Sequence, residues 1–312
     1  MIYAMRWHQN IKLNFLQLLV TVNTSGMSDG QSLRELISHC ALPANEARIL
    51  LAHLLEKHYQ LPRSALLSRD DMNLSGQAFQ EWESLVSRRV NGEPIAYILG
   101  KKGFHNIELQ IGPGVLIPRP ETELLVEIAL AEIAKLNKPC TILDLGTGSG
   151  AIALAIASAT PLATLIATDR SSEALGIAKH NAQFLNLAEQ VQFSQGNWYE
   201  AAVPQKHFDV IVSNPPYIAA EDPHLIQGDL RFEPPSALTD HASGLSCLEI
   251  IISGADKHLK PGGLIVVEHG FDQSEAVVGL METAGLIDIQ VHLDLAGHSR
   301  AASGRRDLSS NR

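Results

Sequence analysis

The chain reads as an α/β protein, with a doubly wound, mostly parallel sheet preceded by a small helical domain. Three observations predict this. From Thr141 to Leu293, short apolar runs alternate with helical stretches, the rhythm of strands joined by helical crossovers. Residues 28–91 instead carry their apolar side chains at helical spacing. The run Gly146-Thr147-Gly148-Ser149-Gly150 stands between an apolar strand and a helix, the place where an open sheet turns towards a ligand.

The elements follow in order. Residues 1–26 form an expected N-terminal extension, disordered or produced by an upstream start site. Arg6 and Lys12 precede an apolar stretch, Leu13 to Val22, broken by Asn14 and Gln17 and lacking a small-x-small cleavage site. Residues 27–92 form the helical domain. Leu33, Leu36 and Ile37 mark a short helix before Pro43. Ala47, Leu50, Leu51, Leu54 and Leu55 stripe a second. Phe79, Trp82, Leu85 and Val86 stripe a third, with Ser75 as its N-cap. Residues 93–118 read as a β-hairpin linker, with strands at Tyr97–Gly100 and Ile107–Ile111. Residues 119–312 form the main domain. Pro120 suits a first helical position, and Glu121 and Glu123 suit the positive end of a helix that runs to about Leu136. Strands are expected at 141–145, 164–168, 191–194, 208–212, 264–268 and 287–293, and helices at 151–159 and 172–187. Lys260-Pro261-Gly262-Gly263 reads as a turn, and the tail as frayed from Leu308.

Composition narrows the function classes. The 312 residues are 45% hydrophobic and 19% charged, ordinary for a globular protein. The net charge of −10 argues against affinity resting on a broad phosphate-binding surface, though a local basic patch stays open. Residues 28–93 hold nine acidic and seven basic side chains, so the helical domain has no basic excess. That domain suits either docking of a macromolecular substrate or simple cover for apolar surface. Cys40, Cys140 and Cys247 are odd in number and far apart, which fits a reducing cytoplasm and neither a disulfide framework nor a zinc site. No His pair has helical metal-ligand spacing, so no metal is expected. No apolar run reaches the roughly 18 residues of a membrane span.

In the loop from Gly146 to Gly150, glycines allow close backbone approach and the following helix directs its N–H groups at a ligand. Gly146-x-Gly148-x-x-Ala151 also satisfies the weaker dinucleotide fingerprint. Two acids tilt the choice. Asp169, ending the next strand, suits ribose hydroxyls. Asp144, two residues before the first glycine, suits positive charge better than pyrophosphate. S-adenosylmethionine has both features. Trp198, after the third strand, suits an adenine face or the core equally.

The second feature is Asn214-Pro215-Pro216-Tyr217, after the apolar run Phe208–Val212. Two prolines with fixed φ and no N–H stop strand and helix alike, leaving a stiff elbow at a strand end. The Asn214 amide oxygen and the Pro215 carbonyl can accept two N–H bonds from one planar NH2 group, with the Tyr217 ring beside them. The elbow therefore looks like a clamp for an amide or an exocyclic amine.

The glycine loop resembles motif I of class I S-adenosylmethionine-dependent methyltransferases, and the elbow resembles their (D/N)PPY motif. Gly114-Val115-Leu116-Ile117-Pro118-Arg119-Pro120-Glu121-Thr122-Glu123, Arg231-Phe232-Glu233-Pro234 and Asp294-Leu295-Ala296-Gly297-His298-Ser299-Arg300 narrow the likeness. With the helical domain, they resemble the PrmC/HemK family of peptide-chain release factor glutamine methyltransferases over about Met27 to Arg306. The resemblance implies a seven-stranded, Rossmann-like sheet and S-adenosylmethionine as cofactor. It implies, as substrate, the glutamine of the Gly-Gly-Gln loop of class 1 release factors. By matching position, Gly146, Thr147, Gly148, Ser149, Gly150, Asp169 and Trp198 would hold the cofactor. Asn214 would touch both ligands, and Pro215, Pro216 and Tyr217 would hold the glutamine. Asn214, Pro215 and Tyr217 are thus the expected catalytic set. A nucleic-acid amino-methyltransferase shares both motifs, but the acidic charge disfavours it. Glu121 and Glu123 read as first-turn helix acids rather than bases, and Arg231 and Glu233 as shaping the substrate loop or forming a salt bridge.

Overall fold

The computed structural model describes residues 30–202 and 207–309. The expected N-terminal extension and residues 310–312 of the expected frayed tail lie outside them. The chain divides into two compact units, one ending at Leu99 and one beginning at Gly100.

The first unit is helical. Helices α1 (Leu33–His39), α2 (Ala44–Tyr59), α3 (Ala65–Ser68), α4 (Gly76–Val90) and α5 (Ile95–Leu99) enclose one apolar core. The stripes of α2 and α4 are its centre: Leu50, Leu51, Leu54, Leu55 and Trp82 are fully buried. Burial of each large apolar side chain contributes about 1.5–3 kcal/mol. A capping box starts α1: the Ser32 hydroxyl accepts from the Glu35 N–H, and Glu35 Oε2 accepts from the Ser32 N–H at 2.8 Å. Ser75 does precede α4, but its side chain caps nothing. Its N–H donates instead to the Tyr59 hydroxyl at 2.5 Å.

The expected strand at Tyr97–Gly100 is overturned: Ile95–Leu99 is helix, with the Tyr97 and Ile98 N–H groups both donating to the Pro94 carbonyl. Ile98 joins the helical core, and Ile95 and Leu99 pack on it. A short apolar run fits either conformation, and this packing decides it. The hairpin itself holds, displaced by a few residues: β1 (Lys101–Phe104) pairs antiparallel with β2 (Ile107–Gln110).

In the second unit, a 3-10 turn at Pro120–Thr122 leads into α6 (Glu123–Leu136). Then come β3 (Cys140–Leu145), α7 (Ala151–Ala159), β4 (Ala163–Asp169), α8 (Ser172–Phe184), β5 (Val191–Gln195) and β6 (Phe208–Ser213). Helices α9 (Pro235–Leu238) and α10 (Ser246–His258) precede β7 (Leu259–Glu268). The chain continues through α11 (Ser274–Thr283), β8 (Ile287–Leu293) and β9 (Ser299–Arg305). The seven strands lie in the order β5-β4-β3-β6-β7-β9-β8. β3 to β7 pair parallel, and β9 runs antiparallel between β7 and β8. The expected doubly wound sheet is therefore present.

Two details depart from expectation. Lys260-Pro261-Gly262-Gly263 is not a turn before the strand but an irregularity inside β7. Leu259 already pairs with Phe208, and the next partners are Val210 and Leu264. The segment stays in the sheet because the Gly262 N–H donates to the Arg306 carbonyl and the Arg306 N–H to that of Gly263. The seventh strand, β9, falls on Ser299–Arg305, a stretch too poor in large apolar side chains to read as a strand by pattern. Its Ala301, Ala302, Ser303 and Gly304 are nonetheless buried.

Candidate active site

The glycine loop and the proline elbow leave neighbouring strands at the same level. Leu145 pairs with Ser213 across β3 and β6, so Gly146 and Asn214 are each the first residue beyond a matched pair. Both line one cavity of about 320 Å³ at the carboxyl ends of the parallel strands. This is where an open α/β sheet places its ligands.

The loop is shaped by its own backbone. The Gly146 and Thr147 N–H groups both donate to the Thr168 carbonyl at 2.9 Å, and the Gly150 N–H donates to the Thr147 carbonyl. Gly150 takes φ +85°, a conformation that favours glycine, and a Cβ there would lie 2.9 Å from Leu154 Cδ1 and push that side chain aside. Gly146, at φ +74°, lies under the Trp198 ring: a Cβ would sit 3.2 Å from Cζ3. Of the expected cofactor residues, Gly146, Thr147, Gly148, Ser149, Asp169, Trp198 and Asn214 line the cavity; Gly150 does not, and starts α7. Trp198 lines the cavity and also packs partly on the sheet's core cluster.

The two acids have separate roles. Asp169 accepts the Gly148 N–H on Oδ2 at 2.9 Å and the Ser171 N–H on Oδ1 at 2.8 Å. A carboxylate has about four lone-pair sites, so two remain for ligand hydroxyls. Asp144 departs from expectation: it is fully buried and does not line the cavity. Its Oδ2 accepts the Thr147 hydroxyl at 2.6 Å, and its buried Oδ1 has no hydrogen-bond partner among the described residues. Burial pushes its carboxyl up to about 7, against the pull of that hydroxyl. Asp144 therefore braces the loop from below and does not face a ligand.

At the elbow, Asn214 and Pro216 line the cavity, whereas Pro215 is buried and Tyr217 is turned into the protein. Asn214 Nδ2 donates to the Thr122 hydroxyl at 3.0 Å. The Tyr217 hydroxyl donates to Glu268 Oε1 at 3.0 Å, so the tyrosine braces the elbow and its ring is not the exposed face the sequence suggested. Burial, with the Glu268 carboxylate beside it, raises the tyrosine's pKa far above its ordinary value.

The long segment after the elbow is built onto it. Ile218 donates to the Leu238 carbonyl, and Gln273 Nε2 donates to that of Tyr217 at 3.0 Å. Gly244, at φ +86°, lies against the Tyr217 carbonyl, where a Cβ would stand at 2.4 Å. Asp240 gathers the N–H groups of Ala242, Gly244 and Ser246. Glu233 is buried and pairs with Arg119 while accepting the Ile117 N–H at 2.9 Å. Arg231 lies instead 5.0 Å from the Phe232 ring centroid. Glu123 accepts the His105 N–H, as a first-turn acid free to reach the hairpin can.

Sequence reasoning missed Asn181. Its buried side chain accepts the Gln110 N–H at 2.7 Å and donates to the carbonyls of Gln110 and Ser149. It ties the hairpin to the glycine loop. Its only sequence signal is an amide on the buried face of a helix. Thr122 and Glu268 were likewise unassigned.

Parallel strands carrying a glycine loop and an Asn-Pro-Pro-Tyr elbow into one cavity define a methyltransferase. Residues 136–285 match the family described as "Methyltransferase domain", and residues 31–100 match the "PrmC N-terminal domain". The release factor glutamine methyltransferase of Burkholderia pseudomallei is 47% identical over 275 residues, 87% of this chain and 95% of that protein. That of Xylella fastidiosa is 47% identical over 260 residues, 83% and 92% of the two chains, and that of Escherichia coli K12 is 42% identical over 276 residues, 88% and 97%. This chain belongs to the release factor glutamine methyltransferase family.

Proposed function

We infer that this chain transfers a methyl group from S-adenosylmethionine to the side-chain nitrogen of the glutamine in the Gly-Gly-Gln motif of class 1 release factors. The observation that carries the reading is the shared cavity of Gly146 and Asn214 beyond the Leu145–Ser213 pair. The residues suit this cofactor. Asp169 retains acceptor sites for ribose hydroxyls, Trp198 offers a ring over the loop, and glycines let the ligand approach backbone. Bound there, S-adenosylmethionine supplies a methyl carbon made electrophilic by its sulfonium sulfur.

The chemical obstacle is the substrate. An amide nitrogen shares its lone pair with its carbonyl and is a poor nucleophile. Asn214, which lines the cavity, accepts one of its N–H groups on Oδ1, orients the nitrogen and stabilises the positive charge that builds on it; the buried Pro215 holds the elbow stiff behind it. Such acceptors act most strongly in the transition state. Gly146, Asp169 and Trp198 would hold the methyl donor against this nitrogen, and one N–H proton of the amide would leave to water. Pro216 forms the wall beside the amide, and Tyr217 holds the elbow rigid through Glu268.

The partner is a release factor, and the helical first unit is its docking domain. The reaction belongs to the cytoplasm, in keeping with three free cysteines, and no helix among the described residues is long and apolar enough to cross a membrane. A methyl-transfer assay offering release factor beside DNA and RNA tests the reading against the nucleic-acid alternative. Label is expected on the release factor alone; label on either nucleic acid overturns it.

A further inference from the structure

Three stretches far apart in sequence meet around Asn214, and hydrogen bonds join them in turn. Thr122, just after the cavity wall at Leu116 and Pro118, receives Asn214 Nδ2 on its hydroxyl at 3.0 Å. The Thr122 N–H donates to the Arg119 carbonyl at 3.1 Å, which ties that wall to the elbow. At the elbow's other end, the Ile218 N–H donates to the Leu238 carbonyl at 3.0 Å, and Ile218 pairs with Thr239 as an isolated parallel bridge. Residues 234–239 hold themselves by turns: Ala237 donates to the Pro234 carbonyl and Thr239 to that of Pro235. The two walls are joined by the side chain of Glu233. Its Oε2 accepts the Ile117 N–H at 2.9 Å, and its Oε1 pairs with the Arg119 guanidinium.

The clasp sits where the walls face the cavity. Ile117 stands between Leu116 and Pro118, and Glu233 precedes Pro234; all three of those neighbours line the cavity. The Glu233 side chain is fully buried, whereas that of Arg119 is one-third exposed. Taking a carboxylate out of water is costly and is offset only when the geometry is good and both oxygens are bonded. Apolar side chains of the same volume would join the walls as firmly or more so, but in several registers. A carboxylate bonded at one oxygen to a backbone N–H and at the other to a guanidinium specifies one register. The chemistry of this contact therefore serves position more than stability.

We propose that Glu233 is a positioning residue: bonded to Ile117 and Arg119 at once, it closes a ring of hydrogen bonds around Asn214 and holds the wall of Leu116 and Pro118 in place for the substrate amide. This rests on the reading of Asn214 as the residue that meets the substrate. Preset walls spare the substrate the cost of ordering them on binding and keep its nitrogen in line with the methyl donor. With the ring open, Thr122 still bonds Asn214, but the two walls move independently and the substrate meets a looser site. The cofactor side keeps bonds of its own, Ser213 to Leu145 and Gly148 to Asp169, which are not part of the ring.

The test measures methylation of a release factor with an unmodified Gly-Gly-Gln loop by wild type, Glu233→Gln, Arg119→Met, Arg119→Lys and the Glu233→Gln/Arg119→Met double variant. Glu233→Gln and Arg119→Met should each lower kcat/KM about 30-fold and raise KM for the release factor about fivefold or more, while the dissociation constant for S-adenosylmethionine stays within about threefold. Arg119→Lys, which keeps the charge, should recover most of the loss. Two residues acting through one clasp do not add, so the double variant should lose little more than the worse single one; losses that multiply to about 1000-fold overturn the proposal. Hydrogen exchange reads the ring without turnover. In Arg119→Met, peptides covering 114–122 and 230–241 should exchange faster together, with the peptide covering 146–150 unchanged. If Glu233→Gln does not fold, Arg119→Met decides alone, by its KM and its exchange. Unchanged kcat/KM, or cofactor affinity falling in step with it, overturns the proposal. A wild type that labels no glutamine contradicts the functional reading instead; faster exchange in both stretches then supports the ring, and unchanged exchange overturns it.

Discussion

The Ser213 hydroxyl donates to the Leu145 carbonyl at 2.7 Å, joining the last residue before the elbow to the last residue before the glycine loop. Both residues are fully buried. This bond fixes the spacing of the two halves of the site. Ser213→Ala should therefore destabilise the protein by about 1 kcal/mol, the usual net value of such a bond. It should also lower kcat several-fold. Urea unfolding and steady-state kinetics on the same preparation check both.

Asn214→Ala removes the amide oxygen proposed to receive the substrate. Turnover should fall about 100-fold or more, as when one transition-state acceptor or donor is deleted. Cofactor affinity should change much less. Calorimetry beside initial rates separates them, and equal losses would assign Asn214 to cofactor binding or to structure.

Gly146→Ala places a methyl 3.2 Å from the Trp198 ring at a φ of +74°. Backbone strain at such a position costs on the order of 1–2 kcal/mol, and the ring must shift. Affinity for S-adenosylmethionine should fall about tenfold or more, with melting temperature lowered by a few degrees. An unchanged affinity would remove Trp198 from the cofactor wall.

Asp144 should make stability depend on pH. Its folded pKa, about 7, lies above the ordinary carboxyl value because burial disfavours the charge. The folded state thus holds a proton that the unfolded state releases near pH 4. The stabilising contribution is complete below pH 4 and is lost as pH rises towards 7. Relative to Asp144→Asn, which cannot titrate, wild type should lose on the order of a few kcal/mol between pH 4 and 8. Urea midpoints of the two proteins across that range measure the difference, and parallel curves would contradict it.

The sheet was legible because its strands are short apolar runs ended by glycine or proline, as at Leu145–Gly146 and Ser213–Asn214. Those same boundaries located the cavity. What escaped depended on contacts between distant residues. Ile95–Leu99 reads equally as strand or helix until the helical core is seen. β9 is made of Ala, Ser and Gly, whose burial comes from its neighbours in the sheet. Asp144 had the right place in sequence to face a cation, yet β3 is buried on both faces and Asp144 lies in the interior together with Leu143 and Leu145. Tyr217 looked like a binding face because a motif gives residue types but not rotamers, and its hydroxyl goes to Glu268. Thr122, Asn181 and Glu268 carry no local pattern at all. They act only through partners 32 to 92 positions away in sequence.

The central claim is that Asn214 and the glycine loop bring a methyl donor and a glutamine amide together in one cavity. The most direct measurement is mass spectrometry of a class 1 release factor after incubation with this protein and methyl-labelled S-adenosylmethionine. One labelled methyl on the glutamine of the Gly-Gly-Gln peptide, absent with Asn214→Ala, is the predicted result. An unlabelled glutamine, or label undiminished by Asn214→Ala, would contradict it.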